Sequence, residues 1–186
     1  MSAVLRRLAC LLLVFTAVPL SVAKADLQAL ASAAYEYRNQ LYNLKAFDGD
    51  AQEAADALRS LSAGQDQVAA ENQAESMVPA GYENYELWIA LAQIKTRLDK
   101  GLDAAYAAYL ATEAAGNPAD KAGAYLALGR ALEKIDRTNE ALDSYDRAVA
   151  LNQDADARAA YQRLSRAIPF HYETMETSTD GDRPQV

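Results

Sequence analysis

Cysteine is almost absent from this chain of 186 residues, and the single one, Cys10, lies in a segment that reads as removable. Arg6 and Arg7 precede an apolar run from Leu8 to Val22, and Ala23-Lys24-Ala25 supplies a small-x-small cleavage pattern, so Met1 to Ala25 has the parts of a secretory leader. Cleavage after Ala25 removes Cys10 and starts the exported chain at Asp26, in the periplasm or outside the cell. Cys10 stands before most of the apolar run, not after it, where a lipid-bearing cysteine would have to be. The run is shorter than the roughly 20 residues a membrane span needs, so no span is expected after cleavage. Retention as an N-terminal anchor is one alternative. Twin-arginine export through Arg6-Arg7 is another, weakened by a leader without the polar residues that usually surround such a pair. With no disulfide available, the remaining 161 residues must hold by packing alone. A domain of that size can do so, since it buries roughly 70% of its unfolded surface.

Basic residues and histidine are also scarce. Lys and Arg number 18 against 26 Asp and Glu, a net charge of −8; the leader holds Arg6, Arg7 and Lys24 and no acid, which leaves 15 against 26 and a charge of −11. That balance disfavours nucleic acid and anionic membrane surfaces, both of which attract basic patches. The one histidine, His171, falls in a polar C-terminal stretch, so the folded part offers a nucleophile only carboxylates and lysines as partners. Asp143 with Asp146, and Glu71 with Glu75, are the only carboxylate pairs singled out, and both read as exposed helix faces. The eight glycines are scattered and build no phosphate-cradling loop. No catalytic, cofactor-binding or metal residue is assigned, no cofactor is expected, and the chain is not read as an enzyme.

What remains is alanine in helical company. Proline and glycine are few, and nothing before Ile168 alternates with period two for long. The pattern predicts helices near 27–45, 51–62, 65–77, 83–99, 102–115, 119–134, 138–151 and 155–167. Leu27, Leu30, Ala34, Tyr37 and Leu41 make one apolar stripe; Ala51, Ala54, Ala55, Leu58 and Leu61 make another, and the two read as a degenerate hairpin. The most regular spacing lies further on: Tyr125-x2-Leu128-Gly129-x2-Leu132, then Ala141-x3-Tyr145-x2-Ala148. Tyr125, Leu128 and Leu132 share one helical stripe. Gly129 beside them gives up about 1 kcal/mol of helix propensity, which makes sense if a second helix must approach there. Ala141, Tyr145 and Ala148 form the mating face, and Thr138 or Asn139 is placed to cap that second helix, with Glu140 in its first turn.

Residues 122–155 on these positions resemble a tetratricopeptide repeat (TPR), with Leu132 where the family usually has tyrosine and Gln153 where proline commonly ends the unit. A shift of 37 residues upstream finds a weaker copy, 85–118: Trp88-x2-Leu91-Ala92, then Ala104 and Ala111, with Asp99-Lys100 mirroring Asp136-Arg137. Ala108 stands where a ring is expected, and Tyr106 or Tyr109 is read as turning in to fill that space. The resemblance implies an exported bacterial protein whose domain 26–167 is all-α: antiparallel helical hairpins stacked as a short solenoid, a non-catalytic scaffold that binds a protein or peptide partner in the cell envelope. It also implies that the first helix of each pair lines a concave groove. The ligand-facing positions then fall on Glu86, Ile89, Gln93, Thr96 and Arg97 in one copy and on Gly123, Leu126, Arg130, Glu133 and Lys134 in the other. Arg97, Arg130 and Lys134 read as a locally basic strip suited to a carboxylate or an acidic extended peptide, with Ile89 and Leu126 as apolar contacts. The lysine-asparagine constellation of peptide C-terminus clamps is not present.

Residues 168–186 change character, with strand-forming residues from His171 to Thr177 and then a polar, turn-like run. They read as an extended or disordered tail, or as a tether to a partner or a downstream domain. A leader, a helical block and such a tail together are similar to the head of the large bacterial alpha-2-macroglobulin-like proteins, though no diagnostic motif of that family is present. A helical head domain of that kind, or an accessory to a cell-envelope enzyme, is the rival reading.

Overall fold

The computed structural model describes residues 18–61 and 66–167; most of the segment expected to be a leader and the whole of the expected tail lie outside the described residues. Among the described residues all regular structure is helical: α1 (Val18–Leu41), α2 (Ala51–Leu61), α3 (Gln67–Met77), α4 (Tyr85–Arg97), α5 (Gly101–Ala114), α6 (Pro118–Lys134), α7 (Thr138–Asn152) and α8 (Ala155–Ala167). The last seven agree with the expected spans to within two residues at each end. The first differs, ending at Leu41 and starting inside the segment read as the leader.

Helix starts follow local chemistry. Asn84 and Asn117 sit in extended backbone ahead of α4 and α6, and their side-chain oxygens accept the N–H of Leu87 at 2.8 Å and of Asp120 at 2.9 Å. Asp66 accepts from the Ala69 N–H at 3.0 Å and Asp154 from the Ala157 N–H at 2.8 Å. For α7 the cap expected from Thr138 or Asn139 is not made: Arg137 holds the N-cap position with no side-chain hydrogen bond to the helix. The reason is the turn before it. Asp136 takes a left-handed φ of 59°, and the Arg137 N–H returns to the Leu132 carbonyl at 3.0 Å. The same turn occurs 37 residues earlier, where Asp99 has φ 60° and the Lys100 N–H reaches the Lys95 carbonyl at 2.9 Å. Aspartate is one of the few side chains that tolerate this conformation, so the Asp-Lys and Asp-Arg pairs mark two copies of one turn.

Packing reveals the hairpin order. α4 lies against α5 and α6 against α7 as antiparallel pairs, α5 lies against α6, and α7 against α8. The first-positioned helices α4 and α6 also touch directly, as do α2 and α4. The degenerate first pair is α2 with α3, not α1 with α2. α1 instead crosses α5 and, further along, α7, with Leu30, Ala34, Tyr37 and Leu41 buried. The cause lies in α5, where Ala104, Ala105, Ala107, Ala108, Leu110 and Ala111 are all buried. A helix apolar around its whole circumference needs cover on every side, and α4, α6 and α1 supply it.

The two copies close their hairpins differently. In α6/α7 the Tyr145 ring is fully buried on Gly129, where a Cβ would lie 2.5 Å from Tyr145 Cε1. In α4/α5 the corresponding pair is two buried methyls, Ala92 and Ala108. Tyr106 and Tyr109 turn away from that hairpin to α1, Tyr106 meeting Tyr37 at 5.8 Å between ring centroids and Tyr109 meeting Tyr35 edge-on at 6.3 Å. The helix they face was read as part of a different pair, which is why their direction was missed.

Candidate functional site

α8 takes up the array where α6 leaves off. Ala160, Tyr161 and Leu164 repeat Ala124, Tyr125 and Leu128 at an offset of 36, and α8 packs on α7. Between α6 and α8 runs an open groove of about 630 Å³ lined by Arg130, Glu133, Lys134, Tyr145, Asp156, Ala159, Ala160 and Arg163. Three of the residues assigned from sequence, Arg130, Glu133 and Lys134, therefore meet in one place. Arg97, Gln93 and Ile89 stand on α4, the next helix over, with Arg97 and Gln93 exposed and Ile89 and Leu126 half-buried against the core. The contribution of α8 was missed because its register as a further first-position helix was not read; Tyr161 and Leu164 carried that signal.

Glu133 organises the groove. Its carboxylate accepts both Arg163 guanidinium nitrogens, at 2.5 and 2.8 Å, and the Tyr145 hydroxyl at 3.0 Å. The Arg163 hydrogen bonds, aided by Tyr145, hold its pKa below the usual value against the opposing effect of burial. Burial first, then the adjacent Glu133, pushes the Tyr145 phenol up. Glu133 is thus ionised and Tyr145 neutral at neutral pH.

The basic strip is more compensated than expected. Arg130 meets Asp156 at 3.3 Å, Lys134 meets Asp99 at 3.0 Å and the Thr96 carbonyl at 2.9 Å, and Arg97 reaches the Gln67 amide oxygen at 3.3 Å. Within the groove, Arg130, Lys134 and Arg163 stand against Glu133 and Asp156, an excess of one positive charge in a strongly acidic protein. The Arg130 and Arg163 side chains are 54% and 60% exposed. Ion pairs that exposed add little, so an incoming carboxylate can replace Asp156 at little cost.

A second constellation is enclosed. The Lys95 side chain is 2% exposed, and its ammonium lies 2.6 Å from Glu71, 2.7 Å from Glu75 and 3.5 Å from Asp103, above the Tyr37 ring. Lys100 also reaches Glu71 at 2.7 Å. Glu71 and Glu75 therefore form no exposed face: Glu71 is buried and both acids bind a lysine that enters from α4. Burial alone would lower the Lys95 pKa, but the groups around it, the two carboxylates among them, outweigh burial and raise it. Burial would raise that of Glu71, and hydrogen bonds from Lys100 and Lys95 bring it below its ordinary value. A lysine held protonated in this way has no lone pair for nucleophilic work; it ties α3, α4, α5 and α1 together. The sequence carried one sign of it, since Lys95 occupies the position that Leu132 fills in the next copy.

Asp143 pairs with Arg147 at 2.8 Å while Asp146 is exposed, so those two acids do not converge. Among the described residues no three His, Cys, Asp or Glu side chains gather as a metal-binding set, and no helix is long and apolar enough to cross a membrane. No family model, curated protein or solved structure matches this chain.

Proposed function

We propose that this chain is an exported, non-catalytic scaffold of the TPR-like kind, which binds an extended segment of another protein in the cell envelope along the face formed by α4, α6 and α8. The observation that carries this reading is the groove between α6 and α8, where exposed cations from two helices flank Ala159 and Ala160 above the buried Tyr145. Such a surface has the elements of peptide recognition: small residues that let a backbone come close, and guanidinium groups that take carboxylates in bidentate fashion. The leader Met1 to Ala25 supports an envelope location, and the Ala/Tyr spacing of α4 to α7 supports the family likeness.

The test is capture from envelope extract on immobilised protein, followed by titration of each purified captured protein. Arg130→Glu combined with Arg163→Glu should weaken binding at least tenfold with an unchanged helical circular-dichroism spectrum. Asp146→Lys, on the exposed side of α7, should leave it unchanged. Full binding by the double variant would move the docking surface elsewhere.

A further inference from the structure

We propose that the groove between α6 and α8 is occupied in cis by the acidic segment that follows α8, residues 168–186, which competes there with an outside partner. This rests on the reading of the groove as a peptide site and names what regulates it.

Three observations meet. α8 ends at Ala167, one turn beyond Arg163, so the segment leaves from the groove's own wall. It carries Glu173, Glu176, Asp180 and Asp182 against the single cation Arg183 and His171, whereas the groove holds Arg130, Lys134 and Arg163 against Glu133 and Asp156, with the exposed Arg166 one turn further along α8. Glu173 and Glu176 come six and nine residues after Ala167. At about 3.3 Å per extended residue they reach roughly 20–30 Å, against a length of roughly 20 Å for α8 at 1.5 Å per residue. The acids can therefore return along the whole groove.

Tethering makes weak contacts sufficient. A short linker holds its ligand at an effective concentration of order millimolar, so a segment that binds only at millimolar strength in trans half-fills the site in cis. The Asp156 and Glu133 carboxylates already show the geometry that the segment's acids would adopt, since each sits on an exposed guanidinium. A partner must then outcompete the segment, and raised salt weakens the hold.

The near absence of cysteine gives a clean test. In a Cys10→Ser background, Thr177→Cys with Ala159→Cys places one thiol in the segment and one in the groove; Thr177→Cys with Asp146→Cys is the control on the outer side of α7. Cross-linking by a short bismaleimide should run at least tenfold faster within single molecules of the first pair. That advantage should vanish on Arg130→Glu with Lys134→Glu, or in 1 M salt. Equal rates for the two pairs overturn the proposal, as do cross-links that form only between molecules and rise with concentration, which would make a second copy the occupant. Partner capture on the same proteins separates the two readings. Groove-dependent capture with equal cross-linking sinks the cis segment alone. Position-specific cross-linking with capture indifferent to the groove sinks the partner site alone.

Discussion

Lys95→Leu should destabilise the protein by up to about 3 kcal/mol, although leucine is the residue that the next hairpin carries at the matching position, Leu132. Two effects compete. Burying a leucine in place of a lysine gains roughly 1.5–3 kcal/mol of apolar transfer. Against it, Glu71, itself buried, keeps only Lys100, and Glu75 is left beside it with no ammonium between them. Breaking a buried ion cluster from one side strands charge and typically costs about 3–5 kcal/mol, whereas removing the whole cluster is often neutral. Lys95→Leu with Glu71→Leu and Glu75→Gln should accordingly recover most of the loss. Urea unfolding followed by the fluorescence of Trp88, the only tryptophan and 2% exposed, measures both variants. A stabilised single variant would show that the cluster contributes nothing beyond filling space.

The same cluster sets the pH window. Glu71 titrates below its ordinary 4.5 in the folded chain, so its contribution is complete above that value and is lost as pH falls through the lower, folded one. Lys95 titrates above its ordinary 10.5, so its contribution is complete below 10.5 and is lost as pH rises through the higher, folded one. Wild-type stability should be flat from about pH 5 to 10 for these groups and fall at both ends. The triple variant should lose the cluster's share of both slopes, while Glu133 at the acid end and Tyr145 at the alkaline end, shifted in the same directions, keep theirs; unaltered slopes would show that the cluster contributes none.

The helices were legible because each carries its own start, stop and apolar period. α6 and α7 show the clearest case: Asn117-Pro118 opens, Asp136 turns, and Tyr125, Leu128, Ala141 and Tyr145 mark the buried faces. Pair order was harder to see. α1 and α2 each show a stripe, and a stripe says that a face is covered without saying by what; α5, apolar all round, held the information that a third helix must lie on it. The groove was half legible for a related reason. Arg130, Glu133 and Lys134 come from the TPR resemblance laid on α6, but their pairing with Asp156 and Arg163 depends on where α8 lands, and that is a property of the α7–α8 contact. Lys95 was hidden by its charge, which reads as surface until three acids from α3 and α5 are brought around it.

Gly129→Ala should cost up to about 2 kcal/mol in the native background and nothing, or less than nothing, when Tyr145 is also replaced by alanine. On an exposed helix this substitution gains about 1 kcal/mol of propensity. Here the added methyl would meet Tyr145 at 2.5, 2.6 and 2.9 Å from three ring atoms. The ring cannot slide away easily, because its hydroxyl is held by Glu133, itself clamped by Arg163, and it has no exposed surface. Overpacking of this kind costs about 1–3 kcal/mol, which outweighs the propensity gain. Tyr145→Ala alone should cost about 3–5 kcal/mol, as truncations of buried rings do. In that background the methyl added at position 129 enters vacated space and the helix-propensity gain returns, leaving two methyls face to face as Ala92 and Ala108 are in the other hairpin. The difference between the two backgrounds is a coupling energy of about 1–3 kcal/mol between two residues in contact, within reach of a double-mutant cycle by thermal or urea unfolding. Additive effects, with no coupling, would mean that the glycine is not there to seat the ring. Tyr145→Phe keeps the seat and drops only the hydrogen bond to Glu133, so it should leave most of the coupling to position 129 in place.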